Sequence, residues 1–149
     1  KDCEFWQVPT TLLSVDNIEK IDIIHNSGGI FQEYINKLYE VRVTVIGDDI
    51  FATKIDSQSH QSGTIDWRTA VEEGLVSVEA YNLPTDIQNV CRKIVKSYGL
   101  NFGAIDLIYN DDGYIFLELN CNGQWLWVEE LTNQPLTNSM INLLVVEGI

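Results

Sequence analysis

The chain is poor in cysteine, histidine and basic residues, and it has no long apolar run. Its three cysteines, Cys3, Cys91 and Cys121, are odd in number and far apart, so neither a disulfide framework nor a zinc site is indicated. Two histidines, His25 and His60, sit in polar stretches with no triad partner in view, and neither is assigned a role. Nine lysines and arginines against 22 acidic residues leave a net charge of −13. Nucleic acid demands a basic surface, so that class of partner is excluded in favour of metal-bound anions or basic peptides. No stretch approaches the about 20 apolar residues of a membrane span, and the start Lys1-Asp-Cys-Glu4 lacks a signal-peptide pattern. No membrane association is expected, and the expected compartment is cytoplasmic. What remains, 149 residues of which 45% are hydrophobic, describes one ordinary globular domain.

The hydrophobic pattern gives the element order. Gln7 to Leu13 reads as a short strand, and Asp16 to Ile24 as a short helix capped by Ser14 or Asp16. Ile30 to Ile35, Tyr39 to Ile46 and Ile50 to Ile55 alternate and are β-branched, which predicts an antiparallel run with a turn at Gly47-Asp-Asp49. Asp56 to Glu73 is polar and aperiodic and is expected to be a functional loop. Leu75 to Ala80 reads as a strand. Thr85 then caps the clearest helix, whose apolar face takes Ile87, Val90, Cys91, Ile94, Val95 and Tyr98 before Gly99 stops it. A final helix from about Pro135 turns Leu136, Met140, Leu143 and Leu144 inward. Strands, helix, hairpin and helices in that order predict an α+β domain with a mainly antiparallel sheet flanked by helices.

The informative segment lies between the two helices. Asn101 to Tyr109 and Tyr114 to Asn120 read as a hairpin. A three-residue loop ending at Gly113 pairs Asn110 with Tyr114, and counting back sets Asp106 opposite Glu118, with Asn120 on the same face. Opposed residues stand about 4.5–5.5 Å apart at Cβ, and two carboxylates that close repel by roughly 3 kcal/mol at an effective dielectric near 20. Such a pair needs a counter-charge or a shared proton. Two carboxylates and an amide oxygen are the hard ligands that Mg²⁺ takes, so Asp106, Glu118 and Asn120 are read as a magnesium site. The competing reading is an exposed hairpin whose acids face water.

In chain order, Phe31-Gln-Glu-Tyr-Ile35, Glu40-Val-Arg42, Val45-Ile-Gly47, Gly103-Ala-Ile-Asp106 and Glu118-Leu-Asn120 resemble the motifs of ATP-grasp carboxylate ligases. Lys37, Asp66-Trp-Arg68 and the run Asn122-Gly-Gln-Trp-Leu-Trp-Val-Glu129 resemble most the peptide ligases that make microviridin- and marinostatin-type cyclic peptides. The resemblance implies an ATP-grasp C-terminal subdomain that uses ATP and Mg²⁺ to activate a carboxylate of a precursor peptide as an acyl phosphate. A hydroxyl or amine would then attack, giving an ester or amide crosslink. It implies that Gln32, Glu33, Tyr34 and Ile35 line the adenine through backbone groups, and that Glu40 meets the ribose hydroxyls. Arg42 would meet the phosphates as the catalytic residue, its alternative being a cross-strand surface charge. It carries Asp106, Glu118 and Asn120 over as metal ligands.

Relatives of this kind commonly have a basic residue near the strand that ends at Ile55, and Lys54 is the candidate. Lys37, Arg68, Trp125 and Trp127 are candidates for the peptide side of the site, against solvated charges and packing tryptophans as the alternatives. The family's N-terminal domain and lysine-bearing subdomain have no match here, and Cys121 stands where these ligases often have proline. Residues 1–149 are therefore expected to be the C-terminal half of an ATP-grasp enzyme, partnered by its missing N-terminal part, with a homodimer left open. Two other readings are retained: an amino-acid-adding, glutamate-type ligase, and a peptide-binding grasp domain without catalysis.

Overall fold

The computed structural model describes residues 10–14 and 30–147. The expected helix at Asp16 to Ile24, and the start of the strand expected from Gln7, lie outside the described residues. Residues 10–13 of that segment are not a strand.

Five strands form one antiparallel sheet: β1 (Tyr39–Ile46), β2 (Asp49–Ile55), β3 (Val78–Ala80), β4 (Phe102–Asn110) and β5 (Gly113–Asn120), in the order β3-β2-β1-β4-β5. Between β2 and β3 lies α1 (Trp67–Glu72), between β3 and β4 α2 (Thr85–Ser97), and after β5 come α3 (Leu126–Thr132) and α4 (Leu136–Glu147). This is the expected α+β architecture with an antiparallel sheet between helices. Among the described residues no helix is long and apolar enough to cross a membrane.

Period-two alternation divides the sheet into two unlike faces. Val41, Val43 and Val45 of β1, with Ala52, Ile105 and Leu107, meet Cys91 and Val95 of α2 in the main core. Glu40, Arg42, Thr44 and Ile46 look the other way. At the Ile46 end that second face is closed by Val128 of α3 and Leu136 of α4, and at the Glu40 end it is polar. The fold thus seals one face with a helix and leaves half of the other for side chains that do chemistry.

The helix α2 is where the pattern placed it, but Thr85 is its first residue and makes no cap; Pro84 precedes it. Val90 is half exposed because each helical residue turns about 100° from the last, which carries it to the flank of the Cys91 stripe. Tyr98 is exposed because it follows the last helical turn. Gly99, at φ +67°, ends the helix as expected. In α4 Leu136 is buried and Met140 and Leu143 pack against it, whereas Leu144 points to solvent, contrary to expectation.

Three further expectations are corrected. Ile30 to Ile35 is not a strand: it runs beside no other strand among the described residues, and Ile30 is 89% exposed. The β3 strand is shorter than Leu75 to Ala80, because pairing with β2 begins only at Val78. The region Asp56 to Glu73 is not a plain loop. It holds two 3₁₀ turns, Ser57–Ser59 and Gln61–Gly63, and then α1, started by the Asp66 side chain accepting from the Arg68 amide. Six residues are too few to show a helical period, so the cap was the only readable signal.

Gly103 of β4 lies under α2, where a Cβ would stand 2.7 Å from Leu119 Cδ1 and 3.0 Å from Val95 Cγ2. Overpacking of this kind costs about 1–3 kcal/mol, so Gly103→Ala is expected to lower the unfolding free energy by that much, read as a lower urea midpoint. An unchanged midpoint would mean that α2 is free to lift.

Candidate functional site

The β4–β5 hairpin reaches the expected Asp106↔Glu118 pairing by a different route. Asn110 pairs with Gly113, not with Tyr114, so the loop is the two residues Asp111 and Asp112. Asn110 Oδ1 accepts from the Asp112 amide at 2.9 Å, which tightens the turn. That register alone would put Leu117 opposite Asp106. A bulge between Leu107 and Asp106 leaves Leu117 without a partner and restores Glu118 to that place.

On the neighbouring strand Arg42 pairs with Asp106 in the β1–β4 register, so Arg42, Asp106 and Glu118 form one row across three strands. Arg42 Nη1 donates to both oxygens of Asp106 at 2.8 Å, and the two residues are 6% and 5% exposed. Arg42 is therefore a buried, paired charge and not a surface cross-strand residue. The counter-charge that the acidic pair requires is thus Arg42, joined on the outer side by Arg68. Arg68 Nη2 reaches Glu118 Oε1 at 3.2 Å, and its Nη1 lies 3.2 Å from both oxygens of Asp66. Asn120 Nδ2 donates to the same Glu118 oxygen at 3.0 Å.

Burial pushes the Asp106 carboxyl up to about 6, against the pull of Arg42 and with help from Glu118. Glu118 is also raised by burial, but its bonds with Asn120 and Asp106 and the charges of Arg68 and Arg42 outweigh that and hold it below its ordinary value. A proton shared by the pair therefore resides on Asp106.

The remaining candidates fall into three places. Glu40 is on the same face as Arg42; it is buried and bonded to Lys37 Nζ at 2.7 Å, and burial raises its carboxyl while Lys37 opposes the rise. Lys37 also donates to the Ile65 carbonyl at 3.2 Å, so its charge is engaged at the edge of the site. Gln32, Glu33 and Tyr34 are exposed and Ile35 half-buried in a segment outside helix and strand that leads into β1. Lys54 is on the reverse face: it pairs with Val41 and Glu79 in the ladder and lies over the Tyr39 ring, 4.9 Å from its centre. The sheet separates it from Arg42. Trp125 and Trp127 are half-buried and pack against the Ile46, Val128 and Leu136 cluster. Trp127 also lies 5.2 Å from Trp67 of α1 and borders a cavity of about 480 Å³ with Arg42, Arg68, Trp67, Asn120 and Gly123. The ion pair between Arg68 and Glu118 was missed in the sequence, because α1 itself was.

The donor set fits a hard divalent cation. Among the described residues no three His, Cys, Asp or Glu side chains converge, so a metal at this row would take its third protein oxygen from Asn120. Glu118 and Arg68 have side chains 43% and 51% exposed, so Arg68 is free to leave the carboxylate to a cation.

A buried arginine and two carboxylates thus stand in one row on the open face of an antiparallel sheet. Residues 10–144 match the RimK-like ATP-grasp domain, and the chain belongs to that family. It is similar to the RiPP-associated ATP-grasp ligase of Chryseobacterium gregarium, solved with ADP and a leader and core peptide. The identity is 30%, the TM-score 0.82, and the match covers 94% of this chain and 43% of that one. The macrocyclase MdnC of Microcystis aeruginosa MRC, bound with precursor peptide MdnA, is 31% identical with a TM-score of 0.79, over 99% of this chain and 46% of that one. Tetrahydromethanopterin:alpha-L-glutamate ligase of Methanocaldococcus jannaschii is 23% identical over 118 residues, 76% of this chain and 38% of that protein. The chain thus spans less than half the length of each of these relatives.

Proposed function

We propose that this chain is the C-terminal half of an ATP- and magnesium-dependent peptide ligase. That enzyme activates a side-chain carboxylate of a precursor peptide as an acyl phosphate and closes an ester or amide crosslink. The row Arg42, Asp106, Glu118 carries the proposal, because it joins a fixed guanidinium to two carboxylates on an open face. Two similar proteins at 30% and 31% identity are a peptide-bound ligase with ADP and a peptide-bound macrocyclase, which supports a peptide as substrate.

Asp106, Glu118 and Asn120 would hold Mg²⁺, which supplies charge neutralisation at the phosphate oxygens. Arg42, planar and held by Asp106 and the Gln124 carbonyl, would present the second N–H of Nη2 to a phosphate oxygen without reorganising. Arg68, on leaving Glu118, is placed to meet an anion in the adjoining cavity. Glu40 and the backbone of residues 32–35 are suited to a nucleoside's hydroxyls and base edge. Arg42's role is electrostatic; the transferred phosphoryl goes from ATP to the peptide carboxylate, and phosphate leaves when the hydroxyl or amine attacks. The carboxylate oxygen that departs with phosphate accounts for loss of one water from the peptide per crosslink.

The test is mass spectrometry of a candidate precursor peptide treated with the full-length enzyme and ATP. One water lost per crosslink, in step with ADP formed, is expected. A mass gain equal to an added amino acid would move the assignment to the glutamate-type alternative, which the lower identity to the glutamate ligase supports less well. Peptide binding with no ADP formed would favour the non-catalytic domain.

A further inference from the structure

Arg42 makes both of its bonds to Asp106 through Nη1. One nitrogen alone leaves a guanidinium free to pivot on the carboxylate. The second anchor is Nη2, which donates to the main-chain carbonyl of Gln124 at 3.3 Å. The same carbonyl accepts from Trp127 Nε1 at 3.2 Å. The Trp127 ring packs on Trp67, and the Arg68 guanidinium lies over the Trp67 ring, 5.4 Å from its centre. From one carbonyl oxygen, contacts therefore run to both arginines that flank the acidic pair.

That carbonyl reaches Arg42 because residue 123 has no side chain. A Cβ on Gly123 would stand 2.6 Å from Ala104 Cβ, 2.9 Å from Arg42 Nη2 and 3.2 Å from Asn120 Cβ. Ala104 is buried in β4, and its Cβ cannot move without the strand. Gly123 is not among the glycines in the left-handed region, so close approach and not backbone freedom requires it.

We infer that Gly123, acting through the Gln124 carbonyl, is a positioning residue that sets Arg42 and, by way of Trp127 and Trp67, Arg68. The inference rests on the ligase reading for its kinetic consequence only. A methyl group at 123 lifts the turn from the sheet, frees Nη2 and releases the Trp127 indole.

In the full-length enzyme, Gly123→Ala is expected to lower kcat for ADP formation roughly 10- to 100-fold, the scale on which small misplacements act, while KM for ATP changes less. Adding Ala104→Gly removes the nearest obstacle but leaves the 2.9 Å approach to Arg42 Nη2, so part of the loss is expected to return. In ¹⁵N spectra of the same protein the Trp127 indole N–H, assigned by Trp127→Phe, is expected to move upfield in Gly123→Ala and to return in part in the double variant. An unmoved indole signal with unchanged kcat, or a double variant as impaired as the single one, overturns the inference. Should Gly123→Ala not fold, Trp127→Leu breaks the link to Trp67 with Gly123 in place; the same kcat loss is expected, and an unchanged kcat counts against the coupling. If the wild-type enzyme forms no ADP with any peptide, the ligase reading fails by itself, and the indole signal still decides the positioning.

Discussion

Replacing Arg42 with methionine is expected to cost the domain about 3–5 kcal/mol near pH 8, the range for breaking a buried ion pair by removing one partner. The cost arises from Asp106, which is almost fully buried and would be left ionised with no guanidinium against it. Near pH 5 the cost is expected to be much smaller. Burial pushes the Asp106 carboxyl up to about 6, so at pH 5 it is mostly protonated in the folded chain already. The sign follows from linkage: a carboxyl raised above its unfolded value of about 3.9 supports the fold most fully below that pH, and the support is lost as pH rises through about 6. Without Arg42 the folded value rises further, and the loss extends to higher pH. Urea unfolding at the two pH values checks this; a loss equal at both would mean that Asp106 is not the group left stranded.

Glu118→Gln is expected to reduce ligation by the full-length enzyme on the order of 10²–10³-fold, the usual cost of removing one preorganised electrostatic contact to a developing charge. The amide keeps the shape and the bond from Asn120, so folding is expected to change little at this half-exposed position. It removes a charge that a cation needs and also loosens Arg68. Calorimetry separates these effects. Nucleotide binding that depends on magnesium in the wild type is expected to lose that dependence in Glu118→Gln and in Asp106→Asn. Equal magnesium dependence in all three proteins would place the cation elsewhere.

The pairing of Asp106 with Glu118 was readable because a three-residue loop with regular strands and the actual two-residue loop with a one-residue bulge give the same sum of positions, so the error in the turn cancelled against the unforeseen bulge. Arg42 was readable only through the resemblance carried by Glu40-Val-Arg42; its pairing with Asp106 is seen first in the β1–β4 register. The opposite errors have physical causes as well. Ile30 to Ile35 has the composition of a strand, but β propensity describes what suits a pleated surface, and among the described residues no neighbouring strand supplies one. Lys54 was the candidate for the basic residue that relatives have near the strand ending at Ile55; its even offset from Ala52 and Ile50 sets it on the main-core side of the sheet, away from Arg42. Arg68 was readable as part of the Asp66-Trp-Arg68 motif and as a candidate for the peptide side of the site, but its ion pair was not. Its partner, Glu118, is brought to it by a one-and-a-half-turn helix whose sole local signature is the Asp66 cap.

The unpaired Leu117 has a bearing on how this hairpin tolerates change in length. Twelve positions separate Asp106 from Glu118, and a regular two-residue turn accommodates eleven; the surplus residue is absorbed in the strand and not at the tip. A three-residue tip with a regular strand would bring the same two acids face to face, and so would deletion of Leu117 with the present tip. Insertions and deletions of one residue are therefore compatible with an unchanged row of charges, provided the surplus is taken up between the acids and the tip. Drift in hairpin length and preservation of the chemistry are independent here, because the hairpin can store one extra residue either at its tip or as a bulge in β5.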